Sequence, residues 1–176
     1  FELSLETTHH GPWLSAPSLF IEVGSTSETW HHQGAADLLA KIIFTGLALD
    51  GGAGFGKWNE ATNAGEIVVI TLGGGHYAPR GNLLGLNDGV WLGHMLANYA
   101  LPFTAPESEG EAVQGQWRNS IDAALESTRI AFPGGKILFS WDKKSFKGWQ
   151  RQAIRDRAAE LEIPLLNSKS VIEMLE

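Results

Sequence analysis

The stretch Glu66–Leu72, EIVVITL, is a nearly continuous β-branched run that ends in three consecutive glycines, and it limits the fold more sharply than any other feature. Such a run suits a strand covered on both faces, the condition of a parallel sheet. A second apolar run, KILFSW at 136–141, reads as another buried strand. Between the two, Trp117, Ile121 and Leu125 recur at helical spacing over residues 113–128. Strands alternating with helices imply an α/β fold of three layers, a mostly parallel or mixed sheet with helices on both faces.

The remaining pattern is less regular. Residues 1–8 alternate, with Phe1, Leu3 and Leu5 on one face, and 18–23 form a short apolar run punctuated by Glu22; both predict strands, joined by the wide connection GPWLSAP. GSTSE offers Ser25, Thr26 or Ser27 as the N-cap of a helix reaching about Leu49, with Leu39, Ile42, Ile43 and Leu47 on its buried stripe. The glycine-rich DGGAGFGKWNEATNAG reads as a surface loop. A helix from about Trp149 to Leu161, a short strand in PLLNS and helical turns in SVIEMLE complete the chain. A length of 176 residues accommodates one domain, 1–176, with a sizeable core. The chain opens inside a predicted strand, which leads us to expect a piece of a longer protein or a trimmed one.

Composition narrows the chemistry. With no cysteine there is neither a disulfide framework nor a thiolate ligand or nucleophile, which fits a reducing, cytoplasmic setting. No apolar run approaches the roughly 20 residues of a membrane helix, so no membrane partner is expected. The formal net charge of −7 argues against a broad phosphate-gripping surface. One local exception is KKSFKGWQRQAIRDR, where Lys143, Lys144, Lys147, Arg151, Arg155 and Arg157 interleave with Phe146 and Trp149. It reads either as a solvated, charged helix start or as a basic patch.

Ligands of open α/β sheets bind beyond the carboxyl ends of the strands. Four unusual stretches follow predicted strands: HHGP, EVGSTSE, GGGHYAPR and SWDKKS. In the third, Gly73, Gly74 and Gly75 suit a close backbone approach or positive φ, and their N–H groups suit an anion nest. Tyr77 offers a stacking face and Arg80 a phosphate partner. The plainer reading is a tight strand-to-loop transition with His76 exposed.

His9 and His10 are adjacent, so in an extended segment only one of them faces a given site, and His10, beside the turn, is the favoured one. His31 and His32 fall in the first turn of the predicted helix and read as exposed. His94 sits among apolar residues, as a hydrogen-bonded core histidine would. If His9 or His10, His76 and Glu22 converge, they form a His/His/carboxylate set able to hold zinc with an open position, or to run metal-free acid/base catalysis. A serine nucleophile finds no G-x-S-x-G elbow, and Ser25 is better read as a cap.

ETTHHGP, PSLFIEVGSTSETW, LGGGHYAPR, GHMLANYA and WDKKSFKGWQRQ, in that order and at these separations, resemble the archaeal and plant type of D-aminoacyl-tRNA deacylase. That family includes the plant ethanol-tolerance protein. The resemblance spans Glu6 to about Leu161. It implies an α/β, zinc-dependent hydrolase that cleaves the ester between a D-amino acid and the 3′ end of tRNA. By motif, His9, His10, Gly11 and Pro12 match the family's HHGP, Glu22, Gly24 and Ser25 its strand-end acid and turn, and Gly73 to Pro79 its glycine-histidine loop. Arg80 stands where the family has a basic residue, and Gly93-His94 matches its GH pair; His31 and His32 have no counterpart.

Family members also carry amino-terminal motifs of the kind RHSS and THxxGN, which do not occur in this sequence. The chain therefore resembles the carboxyl-terminal part of a longer fold, and part of the site is expected from an amino-terminal segment or a second chain, or is replaced. The expected set is His10, His76 and Glu22 for catalysis, Gly73, Gly74, Gly75, Tyr77, Arg80 and His94 for substrate binding, and His9, His10 and His76 for metal. The alternatives are a shortened relative acting on a small-molecule ester in a specialised pathway, and a non-catalytic binding module.

Overall fold

The computed structural model describes residues 3–9, 18–24, 26–108 and 110–175. The chain divides into two compact units, His10–Asn59 and, together, Phe1–His9 with Glu60–Glu176.

In the smaller unit the one helix among the described residues is α1, Gln33–Gly46. It starts later than the expected cap at residues 25–27. Thr26–Trp30 form a turn in which the Thr29 hydroxyl accepts from the Thr26 N–H at 2.9 Å, and His32 is the N-cap, its Nδ1 accepting from the Ala35 N–H at 3.1 Å. An imidazole does here what a serine or threonine hydroxyl was expected to do. No α1 residue is fully buried, and of the expected stripe Ile43 and Leu47 are exposed. The predicted strand at 18–23 is not formed: Leu19, Phe20 and Ile21 are exposed and lie in no sheet.

The larger unit contains α2 (Glu60–Asn63), β1 (Ile67–Leu72), α3 (Pro79–Gly85), β2 (Val90–Leu96), β3 (Phe103–Thr104), β4 (Gln114–Gly115), α4 (Trp117–Ala131), β5 (Lys136–Trp141), α5 (Gly148–Glu160), β6 (Leu165–Leu166) and α6 (Ser168–Glu173). The sheet order is β2-β1-β5-β6, parallel throughout, with β3 and β4 forming a separate antiparallel pair. Alternation along β1 sends Ile70 and Leu72 to one face and Val69 to the other. The first face packs on Trp117, Ile121 and Leu125 of α4 and Ile154 of α5; the second packs on Leu84 of α3 and Val171 of α6. The sheet is thus a middle layer with helices on both faces.

Two details position the site. β1 is followed by α3 on one face and β5 by α5 on the other, so the carboxyl ends of these neighbouring strands form a topological switch point. In β2, Gly93 and His94 together oppose Ile70 alone, since Val69 pairs with Leu92 and Thr71 with Met95. This β-bulge re-aims His94, which lies in a strand that was not foreseen. Gly93 is needed because a Cβ there would stand 2.9 Å from the Thr128 side chain of α4.

The predicted strand at residues 1–8 is also absent among the described positions 3–8. Its backbone bonds are scattered rather than laddered: the Leu5 N–H goes to the Asn82 side chain at 2.6 Å, that of Thr7 to the His76 carbonyl at 2.8 Å and that of Thr8 to the Met95 carbonyl at 3.0 Å. These three bonds draw the segment along the free edge of β2 and over the end of β1.

Candidate functional site

Three parallel strands end together, Leu72 being in register with Leu96 and with Trp141. The loops that follow, 73–78, 97–101 and 142–147, therefore share one edge of the sheet. They are tied to one another: Gly73 N–H donates to the Leu96 carbonyl at 2.8 Å, Gly74 N–H to Ser145 Oγ at 2.8 Å, and Asn98 N–H to the Gly74 carbonyl at 3.1 Å. Ser145 Oγ in turn donates to Asp142 Oδ2 at 3.1 Å.

The glycines divide by role. Gly73 and Gly74 have φ of +86°, and a Cβ on Gly73 would meet the Phe146 ring at 2.6 Å. These two are required by turn geometry and close packing, and their N–H groups are already bonded within the protein. Gly75 is exposed, with no atom within 4 Å of a built Cβ, and among the described residues neither its N–H nor that of His76 has a partner. Among the described residues, the loop N–H groups without a partner are thus those of Gly75, His76 and Tyr77.

Against this loop lies the segment 5–9. Glu6, His9 and His76 each offer one ligand atom, all within 4.8 Å of one another. Glu6 Oε1 is 3.3 Å from His76 Nε2, Glu6 Oε2 is 3.8 Å from His9 Nε2, and the imidazole centroids are 4.3 Å apart. His9 Nδ1 is 2.6 Å from the Thr7 carbonyl, which can only accept, so Nδ1 donates there and Nε2 is the nitrogen turned toward Glu6. An imidazole anchored through its other nitrogen on a carbonyl is the support that metal-binding histidines usually have. On the far side of His76, Nδ1 lies 3.4 Å from the Tyr99 hydroxyl, which is 3.0 Å from Thr7 Oγ1. Thr7 is buried, so this small polar network is held against the protein body. The three convergent side chains remain 23–38% exposed, enough to admit water or substrate.

The other expected residues fall around this centre. Tyr77 is exposed and meets His76 edge-on at 5.1 Å between centroids. Arg80, on α3, is 3.9 Å from Asp142 Oδ1. His94 is half-buried with Nδ1 3.4 Å from Thr8 Oγ1, and burial pushes its pKa below the ordinary histidine value. His10, Gly11, Pro12 and Ser25 lie outside the described residues. Glu22 is exposed in the smaller unit. Sequence reasoning missed Glu6 and Tyr99. Glu6 stands in the quoted ETTHHGP, but its relation to His76 depends on how the segment crosses the sheet end.

Over residues 1–166 the chain matches the family model described as D-aminoacyl-tRNA deacylase. It is 47% identical over 165 residues to a D-aminoacyl-tRNA deacylase of Arabidopsis thaliana, covering 91% of this chain and 52% of that relative. The counterpart from Methanothrix thermoacetophila is 31% identical over 172 residues, covering 97% of this chain and 54% of the relative. A solved crystal structure of a conserved protein of unknown function aligns with a TM-score of 0.63 at 28% identity, over 97% of this chain and 50% of its own. The chain spans about half the length of the curated relatives it matches.

Proposed function

The chain belongs to the D-aminoacyl-tRNA deacylase family, and from that premise we propose that it carries an ester-hydrolysing centre acting on the 3′ end of D-aminoacyl-tRNA, built on Glu6, His9 and His76. The observation that carries this reading is the convergence of two imidazoles and a carboxylate beside the Gly75 and His76 backbone N–H groups, which have no partner among the described residues. Two imidazoles and a carboxylate are the donor set of catalytic zinc sites that keep a position open. Zinc, when bound, supplies Lewis acidity toward the ester carbonyl and acidifies water.

The protein's own groups do the rest. Thr7 holds His9 with its Nε2 directed inward, and Glu6 bridges the two imidazoles. The Gly75 and His76 N–H groups donate to the carbonyl oxygen as it becomes an oxyanion, where fixed donors act without reorganisation. Tyr77 provides a stacking face for the terminal base, and Arg80 a cation for its phosphate. Among the described residues no helix is long and apolar enough to cross a membrane; a cytoplasmic location stays part of the proposal.

The test is hydrolysis of D-aminoacyl-tRNA by the chain, with and without a chelator, alongside zinc titration by calorimetry. Hydrolysis that is abolished by chelator and restored by zinc is expected, with Glu6→Gln and His76→Gln each lowering kcat by about 10²-fold or more. Hydrolysis indifferent to both substitutions, or neither hydrolysis nor stoichiometric zinc, would overturn the reading.

A further inference from the structure

We infer that Lys143, Lys144 and Lys147, on the carboxyl side of β5, form a phosphate-binding shelf on which the RNA backbone of the substrate lies as its 3′ end enters the glycine loop. This rests on the deacylase reading for the identity of the nucleic acid, whereas the shelf itself stands on geometry and charge.

The chain is acidic, with 20 Asp and Glu against 13 Lys and Arg, so three lysines within five residues stand out on its surface. Lys143 and Lys144 occupy a single 3₁₀ turn, and Lys147 is the N-cap of α5, where the Gln150 side chain accepts from its N–H at 2.7 Å. All three are exposed, and among the described residues none has a carboxylate within 4 Å. The other cations of this stretch behave differently. Arg151 Nη1 donates to the Phe146 carbonyl at 3.0 Å, Arg155 lies over the Trp141 ring at 5.4 Å, and Arg157 is paired with Asp122 and Glu160. Those arginines serve the fold, whereas the lysines have no counter-charge among the described residues.

The location gives the lysines their meaning. The 142–147 loop is joined to the candidate site by the Gly74–Ser145 bond and by Phe146, packed under Gly73. The shelf and the glycine loop thus follow neighbouring strands, at the switch point between the ends of β5 and β1. Arg80, held beside Asp142, stands at the junction. The 3₁₀ turn also ends in the α5 amino terminus, whose N–H groups favour anions. The solvent-facing residues of α5 nearest the shelf are Gly148, Gln152, Arg155 and Asp156, and the exposed rings on the adjoining loops, Tyr77 and Tyr99, are flat aromatic faces rather than aliphatic chains, so a phosphodiester chain with its bases suits this surface better than a membrane.

The experiment uses the whole chain and fluorescently labelled, unacylated tRNA, with binding read by anisotropy between 50 and 200 mM salt. For K143Q/K144Q/K147Q we expect a salt-dependence slope smaller by about 2–3, because each lost phosphate contact removes about 0.7–0.9 from it. K144Q alone should lower it by about 1. A charge-matched control, K41Q/K136Q/K169Q, should bind as the parent does; Lys136 lies at the opposite end of β5. Urea midpoints of all variants verify folding independently. Parent-like binding by the triple variant, equal weakening in the control, or preference of the parent for phosphatidylserine vesicles over tRNA would overturn the shelf. D-aminoacyl-adenosine, which has the ester but no phosphate chain, separates the two claims. The triple variant should raise KM for D-aminoacyl-tRNA and leave cleavage of the adenosine ester unchanged, whereas failure of the parent to cleave either ester refutes the proposed activity and leaves the binding result to decide the shelf.

Discussion

In Gly73→Ala, one methyl group is added where φ is +86° and the nearest atom, on the Phe146 ring, is 2.6 Å away. Two costs combine. Holding an L-residue in the left-handed region costs about 1–2 kcal/mol, and overpacking a filled core costs about 1–3 kcal/mol. Phe146 cannot simply yield, since it is 3% exposed and packs edge-on to Phe103 at 6.1 Å between centroids. The expected destabilisation is therefore about 2–5 kcal/mol. At a urea m-value of about 2 kcal/mol/M, that lowers the unfolding midpoint by about 1–2.5 M with m unchanged. Gly75→Ala, two residues on, has open space around the built Cβ and no positive φ, so its cost should stay within about 0.5 kcal/mol. Tryptophan fluorescence follows both, because Trp117 and Trp141 are buried in the same core. A Gly73→Ala midpoint within 0.2 M of the parent, or a comparable loss in Gly75→Ala, would show that the loop is not held as described.

Burial lowers the pKa of His94 in the folded state, so the unfolded chain binds the proton first. Its contribution is fully present above the ordinary histidine value of about 6.5 and is lost as pH falls through the lower folded-state value. Thermal midpoints of the parent should drop more between pH 7 and 5 than those of His94→Gln, and identical profiles would count against the assignment. Glu66, whose pKa is lowered by hydrogen bonds from Trp91 and Asn63, stabilises the fold at neutral pH and loses that contribution on acidification below the ordinary glutamate range; Trp91→Phe should flatten the acid limb of a urea-midpoint titration. Gly93→Ala places a Cβ 2.9 Å from Thr128 and should cost about 1–3 kcal/mol. Paired with Thr128→Ala it should cost less than the two single changes added, and strict additivity in that cycle would refute the contact.

What the amino-acid order determined by itself is local and periodic. EIVVITL and KILFSW became β1 and β5 because a run apolar on both faces has few other solutions, and Trp117, Ile121 and Leu125 became the buried stripe of α4 for the same reason. The family resemblance was also legible, since it rests on HHGP and GGGHYAPR in order, and the family model matches residues 1–166. Tertiary structure alone decided the rest. Whether residues 3–8 pair as a strand depended on Asn82, His76 and Met95, from 69 to 87 positions away along the chain, claiming or supplying bonds one at a time. That competition carried Glu6 to His76, turned His9 toward both and brought Tyr99 behind them, relations that no spacing rule encodes. The glycine triplet shows the same division. Its composition announced a special backbone, but only the closeness of Phe146, Leu96 and Ser145 separated the two glycines that build the turn from the one whose N–H remains available. A hydrogen-bond donor is available only when no neighbour reaches it, and neighbours are set by the packing of the whole sheet end.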